Sequence, residues 1–260
     1  MRIGFVQFNP CFGNKEENHE TIEHLVEDIQ ADVLVLPELF NTGYAFLNKD
    51  ELAELAEPLP GETSEFIQAL AKKTKCALAY GFAERAGDLY YNSMVFMTGS
   101  GITASYRKSH LFFEERFLFQ PGDTGFQVFE HEHVKFGLVI CWDWIYPEAI
   151  RTLALKGAQI ILQAANLVTP YCPDAMVTRA VENRVFIVTA DRAGDEIRGD
   201  KHFHFIGMSQ VIAPNGEILV RLHEEARAQA VEIDPALALN KKMNIHNDLF
   251  ADRRDDFYFR

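Results

Sequence analysis

The sequence predicts an α/β fold. Short runs rich in valine, isoleucine and leucine alternate with amphipathic helical patterns along most of the 260 residues. Hydrophobic residues make up 48% of the chain, which is enough for a substantial core. No repeat, low-complexity stretch or linker divides the sequence. We therefore expect residues 1–260 to form a single domain, with two sheets or one large sheet covered by helices.

The first half of the chain shows this alternation clearly. The helical pattern at 15–30 places Ile22, Leu25, Val26 and Ile29 on one face. A second helix is expected at 64–75. Val/Ile/Leu-rich runs between turn signals predict strands at residues 3–8, 33–36, 76–83, 89–98 and 102–106.

The second half continues the pattern and ends in a polar tail. A helix is expected between Pro147, a residue that favours helix starts, and Gly157, a residue that favours helix ends. The segment 240–260 is polar with an aromatic end, and we expect it to dock at a dimer interface. Strands are predicted at 134–140, 160–162, 186–190, 208–212, 218–222 and 229–233.

Charge and cysteine content narrow the classes of function. The formal net charge is −13, and an acidic surface repels nucleic-acid phosphate and anionic lipid, so neither is an expected partner. The sequence contains no apolar run of transmembrane length and no signal-peptide pattern, which predicts a cytoplasmic protein. The four cysteines are far apart, without a Cys-x-x-Cys pair or a neighbouring histidine cluster. We expect neither disulfides nor a metal site.

Three short segments place reactive side chains at the ends of predicted strands. Glu38 follows an apolar strand, at the sheet edge where α/β proteins place their sites, although a surface loop could use a glutamate there too. Lys108 comes just after the strand predicted at 102–106, in a basic context that is also typical of solvated loops. Cys141 ends a buried strand before a sharp turn into a helix, which exposes a nucleophile to backbone N–H groups. A purely structural cysteine would be more natural in mid-strand.

These three side chains together make a coherent hydrolase. A nearby ammonium can lower a cysteine pKa from about 8.5 into the range of about 3.5–7.5, and Lys108 can supply that charge and later stabilise an oxyanion. Glu38 can take the thiol proton, return it to the leaving amine and then activate water. His110 lies near Lys108 in the sequence, but a cysteine–histidine site would lack a third residue to orient the ring. We therefore favour a Glu38–Lys108–Cys141 triad.

The three segments resemble the signature motifs of the nitrilase superfamily of carbon–nitrogen hydrolases, in the same order. The lysine stands in an Arg-Lys-x-His-Leu context and the cysteine in an Ile-Cys-Trp-Asp context. The likeness covers essentially the whole chain and is greatest to archaeal-type small nitrilases and amidases. The Cys-Trp-Asp turn before Pro-Glu-Ala also resembles N-carbamoylputrescine amidases. Further matching stretches are 119–123, Asn166, 179–184 and 247–254.

The resemblance implies an αββα sandwich that builds four layers, and further site residues. It implies a fourth catalytic residue in the loop after the lysine; Glu115 is our choice and Glu114 the competitor. The backbone N–H of Trp142, which follows the nucleophile, would join the lysine in the oxyanion hole. Tyr44 and Asn166 are expected to line the substrate pocket.

The resemblance also bears on assembly and cofactors. It implies a homodimer or larger even oligomer. Arg179 and Glu182, at helical spacing, are expected to brace the site or the dimer rather than touch substrate. Cys172 has no counterpart in the motifs. We expect a small-molecule substrate and no metal or organic cofactor.

The expected activity is hydrolysis of a small linear amide or N-carbamoyl amine through a cysteine-bound acyl-enzyme, with release of ammonia. A nitrile is the alternative substrate. Nitrilases of the superfamily often have glutamate where Asp143 stands here, which favours the amide. A catalytically silent binding protein on the same fold is a third possibility, although such a protein would be free to lose triad residues.

Overall fold

The computed structural model describes residues 1–258 and contains two six-stranded sheets. Phe259 and Arg260, the end of the predicted aromatic tail, lie outside the described residues. The strands are β1 (Arg2–Gln7), β2 (Val33–Val35), β3 (Ala77–Ala86), β4 (Leu89–Thr98), β5 (Gly101–Arg107), β6 (Val128–His131), β7 (Val134–Ile140), β8 (Ile160–Ala165), β9 (Phe186–Asp191), β10 (Ala193–Arg198), β11 (Lys201–Ile206), β12 (Gln210–Ile212), β13 (Ile218–Arg221) and β14 (Arg227–Glu232). The helices are α1 (Lys15–Val26), α2 (Lys49–Leu55), α3 (Glu62–Thr74), α4 (Glu115–Leu118), α5 (Pro147–Leu155) and α6 (Tyr171–Asn183).

The two sheets pack face to face between two layers of helices. Their strand orders are β14-β1-β2-β3-β4-β5 and β13-β12-β9-β8-β7-β6, while β10 and β11 form a separate hairpin. β1 lies against β9, β3 against β8 and β4 against β7. Helices α1 and α3 cover the first sheet, and α5 and α6 cover the second. The predicted αββα sandwich is thus confirmed.

The apolar strand runs reflect burial on both faces of each sheet. In β2, Val33 and Val35 join the core between the sheets, whereas Leu34 and the following Leu36 join the core beneath the helices. Because successive side chains of a strand point to opposite faces, a strand between two apolar layers must be apolar at every position. This explains why β2 has an unbroken run instead of an alternating one.

Most predicted elements agree with the observed ones, and two boundaries were wrong for identifiable reasons. The helix predicted at 15–30 ends at Val26, because the chain must turn for the Asp32 carboxylate to accept from the Arg2 backbone N–H at 2.7 Å. The strand predicted at 208–212 begins at Gln210, because Met208 has a left-handed backbone with φ of 67°.

Several elements were not predicted, namely α2, α4, β6, the β10–β11 hairpin and most of α6. Proline at 170 and 173 reads as a helix breaker, but Pro170 caps α6 and Pro173 lies in its first turn, where no backbone donor is lost. The hairpin shows a Gly199-Asp200 turn signal between alternating residues of β10 and β11 that could have revealed it.

Strand direction brings the candidate residues to one edge. β2 and β3 are parallel, and β5 runs in the same direction because both β3 and β5 are antiparallel to β4. In the second sheet, β7, β8 and β9 are also parallel. The carboxyl ends of β2 and β8 meet, since the Asn166 side chain donates to the Glu38 carbonyl at 3.0 Å. The segments after β2, β5, β7 and β8 therefore converge.

The C-terminal segment docks in part on its own chain. Phe250 packs against the core, with the Arg151 guanidinium and the Lys241 ammonium over its ring. By contrast Ile245 is 88% exposed and Phe257 is 68% exposed. Within residues 1–258, none of the helices has the length and apolar character needed to cross a membrane.

Candidate active site

A buried lysine between two buried carboxylates forms the centre of the site. Lys108 Nζ lies 2.7 Å from Glu38 Oε1 and 2.8 Å from Glu115 Oε1. The three side chains are 0%, 0% and 3% exposed, respectively. Charges this deep are stable only when they are paired and hydrogen-bonded, so the geometry of each depends on the other two.

Close backbone packing fixes the two loops that carry Glu38 and Lys108. A Cβ atom at Gly81 would lie 2.7 Å from the Glu38 Cα, so only glycine lets β3 approach the glutamate this closely. Asn92 donates to Glu38 Oε1 at 2.6 Å, and its carbonyl accepts from the Lys108 N–H at 2.8 Å. Gly122 then donates its N–H to the Lys108 carbonyl. Asn92 thus connects both segments, a role that sequence reasoning missed.

The neighbouring glutamates point in opposite directions. Glu115, the first residue of α4, accepts from the Tyr44 hydroxyl at 2.9 Å and from the Phe112 N–H at 3.1 Å. Glu114 instead pairs with Lys201 at 2.6 Å, and its side chain is 40% exposed. The structure therefore brings Glu115 into the cluster and leaves Glu114 at the rim.

Cys141 begins a 3₁₀ turn (Cys141–Ile145) at the end of β7, with a left-handed φ of 38°. Its Sγ lies 3.8 Å from the Asn166 carbonyl oxygen, and its own carbonyl accepts from Gln163 at 3.2 Å. Since the Asn166 amide also donates to the Glu38 carbonyl, this residue connects the cysteine turn to the glutamate loop. Asn166 contacts the site mainly as a connector, and its predicted role in lining the pocket stays a prediction.

Asp143 holds the turn after the cysteine in shape. Its buried carboxylate accepts from the Ile140 N–H at 2.9 Å, the Tyr106 hydroxyl at 2.8 Å and the His110 N–H at 3.2 Å. The His110 ring nitrogen Nδ1 lies 2.7 Å from the same carboxylate, and the ring stacks on Tyr146. The expectation that His110 has no orienting partner was therefore wrong. These contacts fasten the segment after β5 to the cysteine turn.

The surroundings of Cys141 favour the thiol over the thiolate. Burial raises the pKa of Cys141 well above its usual value, the Glu38 charge raises it further, and the opposing effect of Lys108 is smaller. The expectation that Lys108 lowers the net pKa was wrong because it neglected burial. These effects favour the protonated thiol, which needs a base before it can attack. Glu38 Oε2 has no hydrogen-bond partner among residues 1–258, so a lone pair is available.

Lys108 and Glu115 each shift the pKa of the other. Burial lowers the pKa of Lys108, but Glu115 and Glu38 outweigh it, so the net pKa is raised and the lysine stays an ammonium. Burial raises the pKa of Glu115 to about 7, with Lys108 acting in the opposite direction. The cluster therefore contains a fixed cation and a carboxyl group whose charge changes near neutrality.

A small cavity of ≈ 20 Å³ lies beside Glu115, with Tyr44, Phe113, Lys201 and Phe203 among its lining residues. This volume accommodates about one water molecule. The Trp142 ring packs elsewhere, on Phe112 and Trp144.

Arg179, Glu182 and Cys172 all lie on α6. Arg179 pairs with Glu182 at 3.2 Å, and their expected role in bracing the site or the dimer stays a prediction. Cys172 is fully buried, with its Sγ 3.7 Å from the Gln163 amide that donates to the Cys141 carbonyl. Among residues 1–258, His, Cys, Asp and Glu side chains nowhere gather in a group of three or more that could hold a metal ion.

Comparison with known proteins adds family context. Residues 2–240 match the carbon-nitrogen hydrolase family model. The chain is 45% identical over 265 residues to a nitrilase from Pyrococcus abyssi (strain GE5 / Orsay), covering 100% of both. It is 32% identical over 285 residues to an N-carbamoylputrescine amidase from Solanum lycopersicum, covering 99% of this chain and 93% of that one. A carbon-nitrogen hydrolase structure from Helicobacter pylori G27 superposes with a TM-score of 0.89 at 28% identity, over 99% of this chain and 97% of that one.

Proposed function

This chain belongs to the carbon-nitrogen hydrolase family and is an enzyme of that class, and we propose that it hydrolyses a small linear amide or N-carbamoyl amine, with release of ammonia, through an acyl group on Cys141. The observation that carries this proposal is the buried Lys108, which lies within 2.8 Å of both Glu38 and Glu115. The arrangement supplies a base, a fixed cation and a second carboxyl group beside a strand-end cysteine.

The first half of the reaction acylates the thiol. Glu38 takes the proton of the Cys141 thiol as Sγ forms a bond to the substrate carbonyl carbon, and the C=O electron pair moves to oxygen. The Lys108 ammonium and the Trp142 backbone N–H stabilise that oxyanion. The oxyanion then collapses, the C–N bond breaks, and Glu38 returns its proton to the departing nitrogen.

The second half releases the acid. Glu38 takes a proton from water, and the resulting hydroxide attacks the thioester carbon. The second oxyanion collapses with cleavage of the C–S bond, and the proton on Glu38 returns to Cys141. A base is needed twice, which fits a protonated resting thiol and an unpartnered Glu38 oxygen. Glu115 keeps Lys108 in place and, with a pKa of about 7, adjusts the charge of the cluster near neutrality.

A nitrile is the second candidate substrate. Attack of the same thiol on a nitrile carbon forms a thioimidate, which two waters convert to acid and ammonia with the same residues. The relative that is 45% identical over the whole chain bears the name nitrilase, which favours this alternative. The N-carbamoylputrescine amidase relative favours the carbamoyl substrate.

Ammonia release from a panel of linear amides, N-carbamoyl amines, ureido acids and aliphatic nitriles tests the proposal. We expect turnover of an amide or carbamoyl compound by the native chain and by Cys11→Ser, because that cysteine is exposed. Cys141→Ala should release no ammonia. Turnover of nitriles alone would favour the alternative, and ammonia release by the Cys141→Ala variant would overturn the cysteine mechanism.

Assembly, domain organisation and compartment are also proposals. We propose that residues 1–260 form one domain in a homodimer or larger even oligomer, with segment 240–260 at the interface. Exposed apolar side chains near the C-terminus support this, since Leu239 is 65% and Ile245 is 88% exposed. Four free thiols fit a reducing cytoplasm.

Light scattering tests the assembly. We expect at least twice the chain mass of 29.6 kDa at micromolar concentration. The variant Ile245→Asp should weaken the assembly. The control variant Ile197→Asp, at an isoleucine of β10 that is 68% exposed, should not. A stable species of single-chain mass would contradict the proposal.

A further inference from the structure

The β10–β11 hairpin reaches the active site through a buried glutamate. Glu196, on β10, is 6% exposed, and its carboxylate accepts from the Tyr44 backbone N–H at 3.1 Å and from the adjacent Ala45 N–H. The same carboxylate pairs with the Arg192 guanidinium at 2.5 Å. One side chain thus satisfies two neighbouring backbone donors of the loop that carries Tyr44.

Arg192 is itself held by contacts on several sides. It is fully buried, its guanidinium lies over the Phe205 ring at 4.1 Å from the centroid, and it donates to Asn9 Oδ1 at 2.6 Å. These contacts restrict the conformation of the buried guanidinium. Arg192 therefore holds the Glu196 carboxylate, and Glu196 in turn holds the loop that carries Tyr44.

The Tyr44 ring lies between the Arg192–Glu196 pair, which we call the brace, and the catalytic cluster. It packs edge-on against Phe203 and Phe205 of β11, at centroid distances of 5.5 and 5.8 Å. Its hydroxyl donates to Glu115 Oε1 at 2.9 Å. An unbroken set of contacts therefore runs from Arg192 through the hairpin and Tyr44 to the carboxyl group that pairs with the catalytic lysine.

We propose that Glu196 is a positioning residue, which aims the Tyr44 hydroxyl at Glu115 and thereby sets the charge state of that carboxyl group during turnover. This inference rests on the proposed function, because it assigns a role in the same reaction. Glu196 does not touch substrate in this account; it acts through the loop that it holds.

The physical effect has a definite sign. An O–H that donates to a carboxylate stabilises the ionised form, so its removal raises the carboxyl pKa. The groups that face Glu115 are Lys108, Glu38, Cys141 and Tyr44. If Glu196 no longer holds the Tyr44 loop, the hydroxyl moves off and the pKa of Glu115 rises, while the other three groups remain.

A double-mutant cycle with a substrate-free readout tests the inference. Infrared difference spectra recorded against pH follow the Glu115 carboxyl band, identified by its loss in Glu115→Gln. We expect Glu196→Gln and Tyr44→Phe each to raise the Glu115 midpoint by about one pH unit, the size of one hydrogen bond to a charged group. The double variant should show no larger shift than Tyr44→Phe alone, because no hydroxyl remains to be aimed.

Two further variants keep the test decisive. Glu196→Asp retains the charge opposite Arg192, so the fold is preserved while the shorter side chain withdraws from the loop, and it should give a smaller shift of the same sign. Glu51→Gln is the matched control, because Glu51 also connects the hairpin, at Arg198, to a loop N–H, at Leu47. It should leave the midpoint unchanged.

The outcomes separate this inference from the proposed function. Additive shifts in the double variant, or an unmoved midpoint in both Glu196 variants, would overturn the positioning role even if the native chain releases ammonia. A shifted midpoint in a chain that hydrolyses no substrate would uphold the brace and overturn the proposed function. With an active chain, kcat/KM should fall about tenfold in Glu196→Gln, with its Glu115-dependent limb displaced to higher pH.

Discussion

The buried cluster and the surface at its rim each contain a glutamate–lysine pair, in opposite settings. In the interior, Glu115 and Lys108 lie 2.8 Å apart with side chains 3% and 0% exposed. At the rim, Glu114 and Lys201 lie 2.6 Å apart with side chains 40% and 20% exposed. The two glutamates are adjacent in the sequence, but Glu115 is buried and accepts two further hydrogen bonds, whereas the Glu114–Lys201 pair is partly exposed to water, which screens it.

The difference in setting implies a difference in energy. An exposed ion pair contributes about 0.2–1 kcal/mol, because solvent and salt screen it and two long side chains must be ordered. Removing one partner of a buried pair costs about 3–5 kcal/mol, because it leaves an uncompensated charge. Similar distances therefore do not indicate similar importance, and substitutions in the two regions should have very different effects.

The largest expected effects come from the interior triad. Cys141→Ala, Lys108→Met and Glu38→Gln should each lower kcat at least about a thousandfold, since each removes a covalent, charge or proton role that no neighbour can replace. Ammonia release with the best substrate of the panel measures this, with circular dichroism to confirm the fold. Any one variant that keeps a near-native rate would refute the role assigned to its residue.

The adjacent glutamates provide the matched comparison. Glu115→Gln should lower kcat about a hundredfold, because it weakens a charged hydrogen bond to Lys108, the proposed catalytic lysine. Glu114→Gln should stay within about twofold of the native rate, as expected for a screened pair. The reversed order of the two variants would transfer the fourth role to Glu114.

A further expected effect is on how the stability of the fold depends on pH. The pKa of Glu115 is about 7 in the folded chain against 4.5 unfolded, so between these values the folded state binds more protons and the free energy of unfolding falls as pH rises. Urea unfolding at pH 5 and pH 7.5 should show that the native chain loses about 1–3 kcal/mol more than Glu115→Gln. An equal loss in both proteins would show that this carboxyl is ionised throughout the range.

The parts that the sequence predicted are those with local signals. Cys141 and Lys108 directly follow β7 and β5, and Glu38 lies three residues after the end of β2, so strand ends and motif context were sufficient to select these candidates. The αββα layering followed from the family resemblance. These features depend on short stretches of sequence and on strand direction.

What the sequence did not predict depends on contacts between distant segments. Asn92 and Glu196 reach the site only because β4 and the hairpin pack beside it. The direction of the Cys141 pKa was missed for the same reason, because the cost of burial depends on the whole surrounding fold. The Asp143–His110 contact likewise joins residues 33 positions apart.

The most direct test of the mechanism is to find where the acyl group is carried. Native chain and Glu38→Gln would be mixed with the best substrate, quenched in acid within the first turnovers and digested for peptide mass mapping. The account predicts an acyl mass on the Cys141 peptide of the native chain and none in Glu38→Gln, because the buried thiol needs that base. An acyl group on another residue, or equal acylation in the two proteins, would contradict it.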